Sequence, residues 1–187
     1  MVSPQLSYPG GVRLGDDAHP HTTPTPEGLH VRNICIIFTS MSKTRIIIHA
    51  VFATKHRHQT IPLLRRRDLY RYIHGIISGN KCTTLRINGM TDHVHLLIDL
   101  NPTVALSDLM KQIKQTSALW MKSSPYFSLF EAWNEGYYAS SVSPSDVDAC
   151  VEYIKNQEEH HGGKGLIEEL KDLALEYHID WDDRDWM

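Results

Sequence analysis

"TDHVHLLIDL", residues 91–100, sets two histidines one residue apart at the head of an apolar run. Side chains alternate across a strand with a period of two. His93, His95, Leu97 and Asp99 therefore share one face, and Val94, Leu96, Ile98 and Leu100 share the other. The second face is built for a core. The first opens with two imidazoles, which a core does not need. "CTTLRING", residues 82–89, is a second strand close enough to pair with the first as a hairpin. Its turn falls either at Asn88-Gly89 or at residues 90–92.

The flanking segments extend this hairpin into a fold. "TRIIIHAVFAT" (44–54) is a buried strand. Residues 63–80 place Leu64, Leu69, Tyr72, Ile73, Ile76 and Ile77 at helical spacing, with Gly79-Asn80 as a stop. A second amphipathic helix spans 103–123, with Leu106, Leu109, Met110, Ile113 and Leu119 on its apolar side. Residues 132–142, rich in aromatics, follow as a strand. A helix over 143–161 opens with Ser143 as N-cap, Pro144 in its first turn and Asp146 closing a capping box. "GGKG" ends it, and an acidic helix follows over 166–178. The first six elements run β-α-β-β-α-β. That order predicts an α+β fold, the ferredoxin-like split βαβ sandwich: a four-stranded antiparallel sheet with two helices on one face, plus C-terminal helices.

Composition narrows the class. The formal charge of −3 is unevenly spread: residues 41–165 balance to +4, residues 166–187 to −6 and residues 1–40 to −1. The N-terminal 40 residues, rich in Pro, Gly, Thr and His, show neither helical nor strand period and are expected to form a disordered extension. The folded unit is expected over 41–165, followed by the acidic helix and tail over 166–187. Three scattered cysteines, Cys35, Cys82 and Cys150, with no CxxC, argue for a reduced, cytoplasmic protein. No apolar run is long enough for a transmembrane helix, so no membrane partner is expected. Basic residues cluster at "KHRH" (55–58) and at Arg65, Arg66 and Arg67, which suit either a phosphate-contacting surface or a solvated face.

Two constellations bear chemistry. Alternate strand residues lie roughly 6.6–6.8 Å apart, a spacing from which two imidazoles can converge on one cation. An isolated histidine pair also occurs on sheets without a ligand. In "YIKNQEEHH" (153–161), Tyr153 and Gln157 flank the apolar stripe of Val147, Cys150, Val151 and Ile154, one turn apart. A phenol with a pKa near 10 is a poor nucleophile at neutral pH without help.

"DHVHLL" (92–97), "WNEGYYASSVS" (133–143) and "YIKNQEEHH" (153–161), in that order and spacing, resemble the single-tyrosine HUH transposases. These are insertion-sequence enzymes and REP-associated tyrosine transposases, and the resemblance covers about residues 43–161. It implies that Tyr153 attacks a phosphodiester of single-stranded DNA, forming a 5′-phosphotyrosine and releasing a 3′-OH. It implies that His93, His95 and Gln157 hold a divalent metal; the donor set suits Mg²⁺ or Mn²⁺. It further implies a homodimer with composite active sites that acts on DNA hairpins at element ends. Lys55, Arg57, Arg65 and Tyr137 are the candidate DNA contacts. The alternative is a domesticated or non-catalytic protein that binds hairpin DNA.

Overall fold

The computed structural model describes residues 43–157 and 165–186. The expected N-terminal extension, the boundary at residue 41, residues 158–161 of the expected third helix and most of "GGKG" lie outside the described residues. Strands β1 (Ile47–Ala53), β2 (Thr83–Gly89), β3 (His93–Asp99) and β4 (Tyr138–Ser141) form one antiparallel sheet in the order β2-β3-β1-β4. The helices are α1 (Arg66–Gly79), α2 (Leu106–Ser123), α3 (Val147–Lys155) and α4 (Leu166–Glu176). Element order and strand order together are those of the expected ferredoxin-like sandwich.

Every residue of β1 is buried, because helices cover both faces of the sheet and remove the usual apolar-polar alternation. On one face, Ile48, Ala50 and Phe52 of β1 and Val94, Leu96 and Ile98 of β3 pack against Leu69, Ile73 and Ile77 of α1 and Leu109, Met110 and Ile113 of α2. The other face holds two smaller clusters. Ile47 and Leu97 pack with Val147 and Ile154 of α3. Val51, Ala53 and Tyr138 pack with Leu166 and Leu170 of α4. His49 falls between Ile47 and Val51 along β1, and His95 lies two residues before Leu97 on β3. This face therefore has a polar seam between its two apolar clusters.

Of the two expected hairpin turns the structure takes the one at residues 90–92, since β2 runs through Gly89 and the Met90 amide donates to the His93 carbonyl at 3.1 Å. A Cβ on Gly89 would stand 2.2 Å from that carbonyl oxygen, so the strand crossing requires glycine. Several other expectations are corrected. Leu64 precedes α1 and is 94% exposed; Leu119 is 69% exposed. Leu119 lies six residues past Ile113, about 240° round the helix, whereas Ser117 and Met121 continue the buried stripe. The expected strand over 132–142 shortens to β4, with Trp133 forming only an isolated bridge to Thr54. The intervening carbonyls of Glu135 and Gly136 accept from the Lys114 ammonium instead of a ladder partner. Ser143 does not cap α3: its hydroxyl bonds Ser145, and the helix starts after Asp146.

Candidate active site

His93 and His95 are fully buried on the seam face. Each has its Nδ1 engaged. His93 Nδ1 donates to Asp92 Oδ1 at 2.7 Å, and Arg57 Nε stands 3.5 Å from Asp92 Oδ2. Burial works to raise the Asp92 carboxyl, but the hydrogen bond from His93 and the charge of Arg57 outweigh it and hold it below its usual range. His95 Nδ1 lies 3.1 Å from Nε2 of His49, with the two rings stacked at 5.3 Å. Burial pushes His49 down to about 4, so it is neutral at ordinary pH. Donation from His95 Nδ1 to His49 leaves a lone pair on His95 Nε2, and the Asp92 contact does the same for His93 Nε2.

The nucleophile candidate comes from α3. The Asn88 amide on β2 donates to the carbonyls of Ile154 and Lys155 at 2.8 and 3.0 Å, pinning the last turn of α3 to the sheet edge. Tyr153 sits edge-on to the rings of His49 and His95, with both centroid distances 6.1 Å. α3 ends at Lys155, so Gln157 lies just past it rather than within one continuous helix. Its side chain is nevertheless wholly buried. Gln157 Oε1 is a buried acceptor with no hydrogen-bond partner among the described residues.

A fourth group arrives from α4. Glu169 Oε1 accepts from the Tyr153 hydroxyl, lies 3.5 Å from Gln157 Nε2 and stands 3.6 Å from His95 Nε2. Burial pushes its carboxyl up to about 7. Sequence reasoning missed His49, Asp92 and Glu169. His49 had a signal, an imidazole at the outward register of the apolar strand "IIIHAVF", and Asp92 heads the histidine motif itself. Glu169 had none, because its position depends on where α4 docks.

Tyr153, His93, His95 and Gln157 are thus brought together within one chain. In this arrangement the tyrosine packs on the histidines of its own chain. The four candidate DNA contacts are engaged locally. Lys55 pairs with Glu131 at 3.8 Å and Arg57 with Asp92. Arg65 pairs with Asp68 at 3.4 Å and lies over the Tyr126 ring at 3.6 Å. Tyr137 is half-buried against the larger core. Trp133 and Tyr138 are core residues.

The donor set fits a divalent cation only with the amide included. Among the described residues, no group of three or more His, Cys, Asp or Glu side chains is arranged to hold a metal ion. Two imidazole nitrogens and the orphaned Gln157 oxygen would supply three neutral donors and leave open positions for phosphate and water.

Comparison with known proteins gives the family. The family model "Transposase IS200 like" matches residues 42–157. The transposase of insertion sequence IS200 from Salmonella typhimurium is 28% identical over 124 residues, covering 63% of this chain and 81% of that protein. The ISDra2 transposase TnpA of Deinococcus radiodurans is 30% identical over 115 residues, covering 58% of this chain and 81% of that protein. The solved structure of a REP-associated tyrosine transposase bound to a REP hairpin shares the fold, with a TM-score of 0.51 at 15% identity, covering 65% of this chain and 75% of that one. The chain belongs to the IS200-like transposase family.

Proposed function

We propose that this transposase cleaves and rejoins single-stranded DNA through a 5′-phosphotyrosine on Tyr153. The observation that carries the reading is the convergence of Tyr153, His95 and Gln157 on one buried seam, with the phenol already hydrogen-bonded to Glu169. The Tyr153 oxygen forms a bond to phosphorus, and the bond from phosphorus to the 3′ oxygen breaks. The phenolic proton passes toward Glu169, and the departing 3′ oxygen takes up a proton to leave as a hydroxyl. The reverse attack by another 3′-OH rejoins DNA without a nucleotide cofactor, because the phosphotyrosine keeps the phosphodiester bond energy.

His93, His95 and Gln157 are the residues that would hold a divalent ion, Mg²⁺ or Mn²⁺. Such an ion supplies charge neutralisation on the scissile phosphate and orients the leaving oxygen. The substrate class is hairpin-bearing single-stranded DNA at element ends, by analogy with the hairpin-bound relative. With one tyrosine per chain, a two-ended reaction needs two copies, so a homodimer with a complete site in each subunit is the working assembly. Its DNA substrate puts it in the cytoplasm; among the described residues no helix is long and apolar enough to cross a membrane.

A covalent-adduct assay tests this. Wild-type protein and Tyr153→Phe are incubated with Mn²⁺ or Mg²⁺ and tiled single-stranded oligonucleotides from the gene's own flanks, then run on a denaturing gel. A metal-dependent DNA–protein band absent from the variant is expected. Cleavage without an adduct would indicate hydrolysis by water instead, and binding without cleavage across the tiling a non-catalytic DNA-binding protein.

A further inference from the structure

At the β2 edge of the sheet, helices on opposite faces bring cations round to one place. Arg66, Arg67 and Tyr70 come from the first turns of α1, Arg86 and Asn88 from β2, and Lys155 from the end of α3. They line a cavity of about 360 Å³ whose lining, among the described residues, includes four cationic side chains and no carboxylate. Arg86 Nε is buried there without a hydrogen-bond partner among the described residues. Lys155 pairs with Glu152 of its own exposed helix face, at 3.0 Å.

We infer that this cavity binds a backbone phosphate of the DNA strand next to the one that Tyr153 attacks. The inference rests on the phosphotyrosine reading above, because it is the tyrosine that sets the register. Three features favour a phosphodiester over other ligands. The guanidinium of Arg86 has an unused buried donor, and arginine forks match phosphate oxygens in pairs. The lining is cationic and polar, with little apolar surface to hold a metabolite body. Lys155 lies two residues beyond Tyr153, within about one helical turn, and Asn88 ties that turn to β2. Cavity and nucleophile therefore share one frame, and a strand crossing the edge reaches both within a few nucleotides.

The test measures binding and chemistry separately on the full chain. A fluorescein-labelled single-stranded oligonucleotide from the gene's flank is titrated by anisotropy over a range of salt. The proteins are Tyr153→Phe and the same chain carrying Arg67→Gln, Arg86→Gln, Arg86→Lys or, as a charge-matched control on α2, Lys122→Gln. Each glutamine variant in the cavity should weaken binding about tenfold at low salt and flatten the log–log salt slope by about 0.7 for each phosphate that is no longer neutralised. Arg86→Lys, which keeps the charge but removes the fork, should fall between. Lys122→Gln should leave the slope alone.

Equal losses in all three glutamine variants would overturn the inference in favour of diffuse attraction. So would unchanged slopes for Arg67→Gln and Arg86→Gln with native melting curves. Arg67 is exposed, so its variant reports even if Arg86→Gln fails to fold. Orthophosphate binding that is abolished in these variants while oligonucleotide binding is not would mark a free-anion site, and would also overturn it. A Tyr153 adduct with unchanged slopes sinks the cavity alone. Changed slopes with no adduct from otherwise wild-type protein sink the chemistry, and with it the assigned register.

Discussion

Tyr153 donates its hydroxyl hydrogen to Glu169, although the two residues stand on different helices. The same carboxylate oxygen faces the Gln157 amide and the His95 ring. A group from the acidic C-terminal helix is therefore part of the constellation formed by the three sequence motifs. Its hydrogen bond orients the phenol and, in the proposed reaction, would give the departing proton an acceptor.

Glu169 makes the metal-free protein sensitive to pH. Between about 4.5 and about 7 the folded chain keeps a proton on Glu169 that the unfolded chain has released. Stability declines as pH rises through that window and levels off above it. The upper bound on this loss is about 3 kcal/mol. Denaturant unfolding in EDTA across the window should show the decline in wild type and a flatter profile in Glu169→Gln. Identical profiles would remove the burial argument for this residue.

His49 and Asp92 act through the histidines they touch. Replacing His49 by Phe, or Asp92 by Leu, should lower Mn²⁺ affinity by about 10- to 100-fold, because each partner fixes which ring nitrogen faces the seam. His49→Gln and Asp92→Asn, whose amides can still accept, should recover part of the loss. Calorimetric titration with Mn²⁺ reads this directly, and unchanged affinity in His49→Phe and Asp92→Leu would refute the orienting role.

The position of Tyr153 over its own histidines predicts no complementation. A mixture of His95→Ala chains with Tyr153→Phe chains should form no DNA adduct beyond the sum of the two alone. Recovery in the mixture would show that the tyrosine serves the partner's histidines and that the within-chain packing is a resting arrangement.

Trp133 should prove structural. Its indole N–H donates to Ser117 Oγ at 2.9 Å, and its ring packs on Phe52 and Phe130. Trp133→Ala should cost about 3–5 kcal/mol. Ser117→Ala, which orphans the indole donor, should cost about 1–3 kcal/mol. Adding Ser117→Ala to Trp133→Phe should cost much less than Ser117→Ala alone, since no indole donor is then left unpaired. Equilibrium unfolding of the four proteins gives the cycle, and full additivity would contradict the bond.

The features readable along the chain were those with a short period. Alternation in 91–100 separated the core face from the histidine face, and helical spacing located α1, α2 and Tyr153. Element order then led to the split βαβ topology. Boundaries were less legible, since side chains remote in sequence decide them: Lys114 on α2 takes the carbonyls that would have extended β4. The same holds for charge. Arg57 reads as a surface cation in "KHRH", yet in the fold it faces Asp92 behind His93.

The sequence by itself thus determined the sheet and the two-histidine face, which are written in local periodicity, and marked the tyrosine motif through its resemblance to the family. The tertiary structure alone decided that His49 backs His95, that Glu169 reaches Tyr153, and that four cations surround the β2 edge. Those contacts join elements far apart in the chain. Their existence depends on register and docking, which burial of the apolar faces sets and no local pattern encodes.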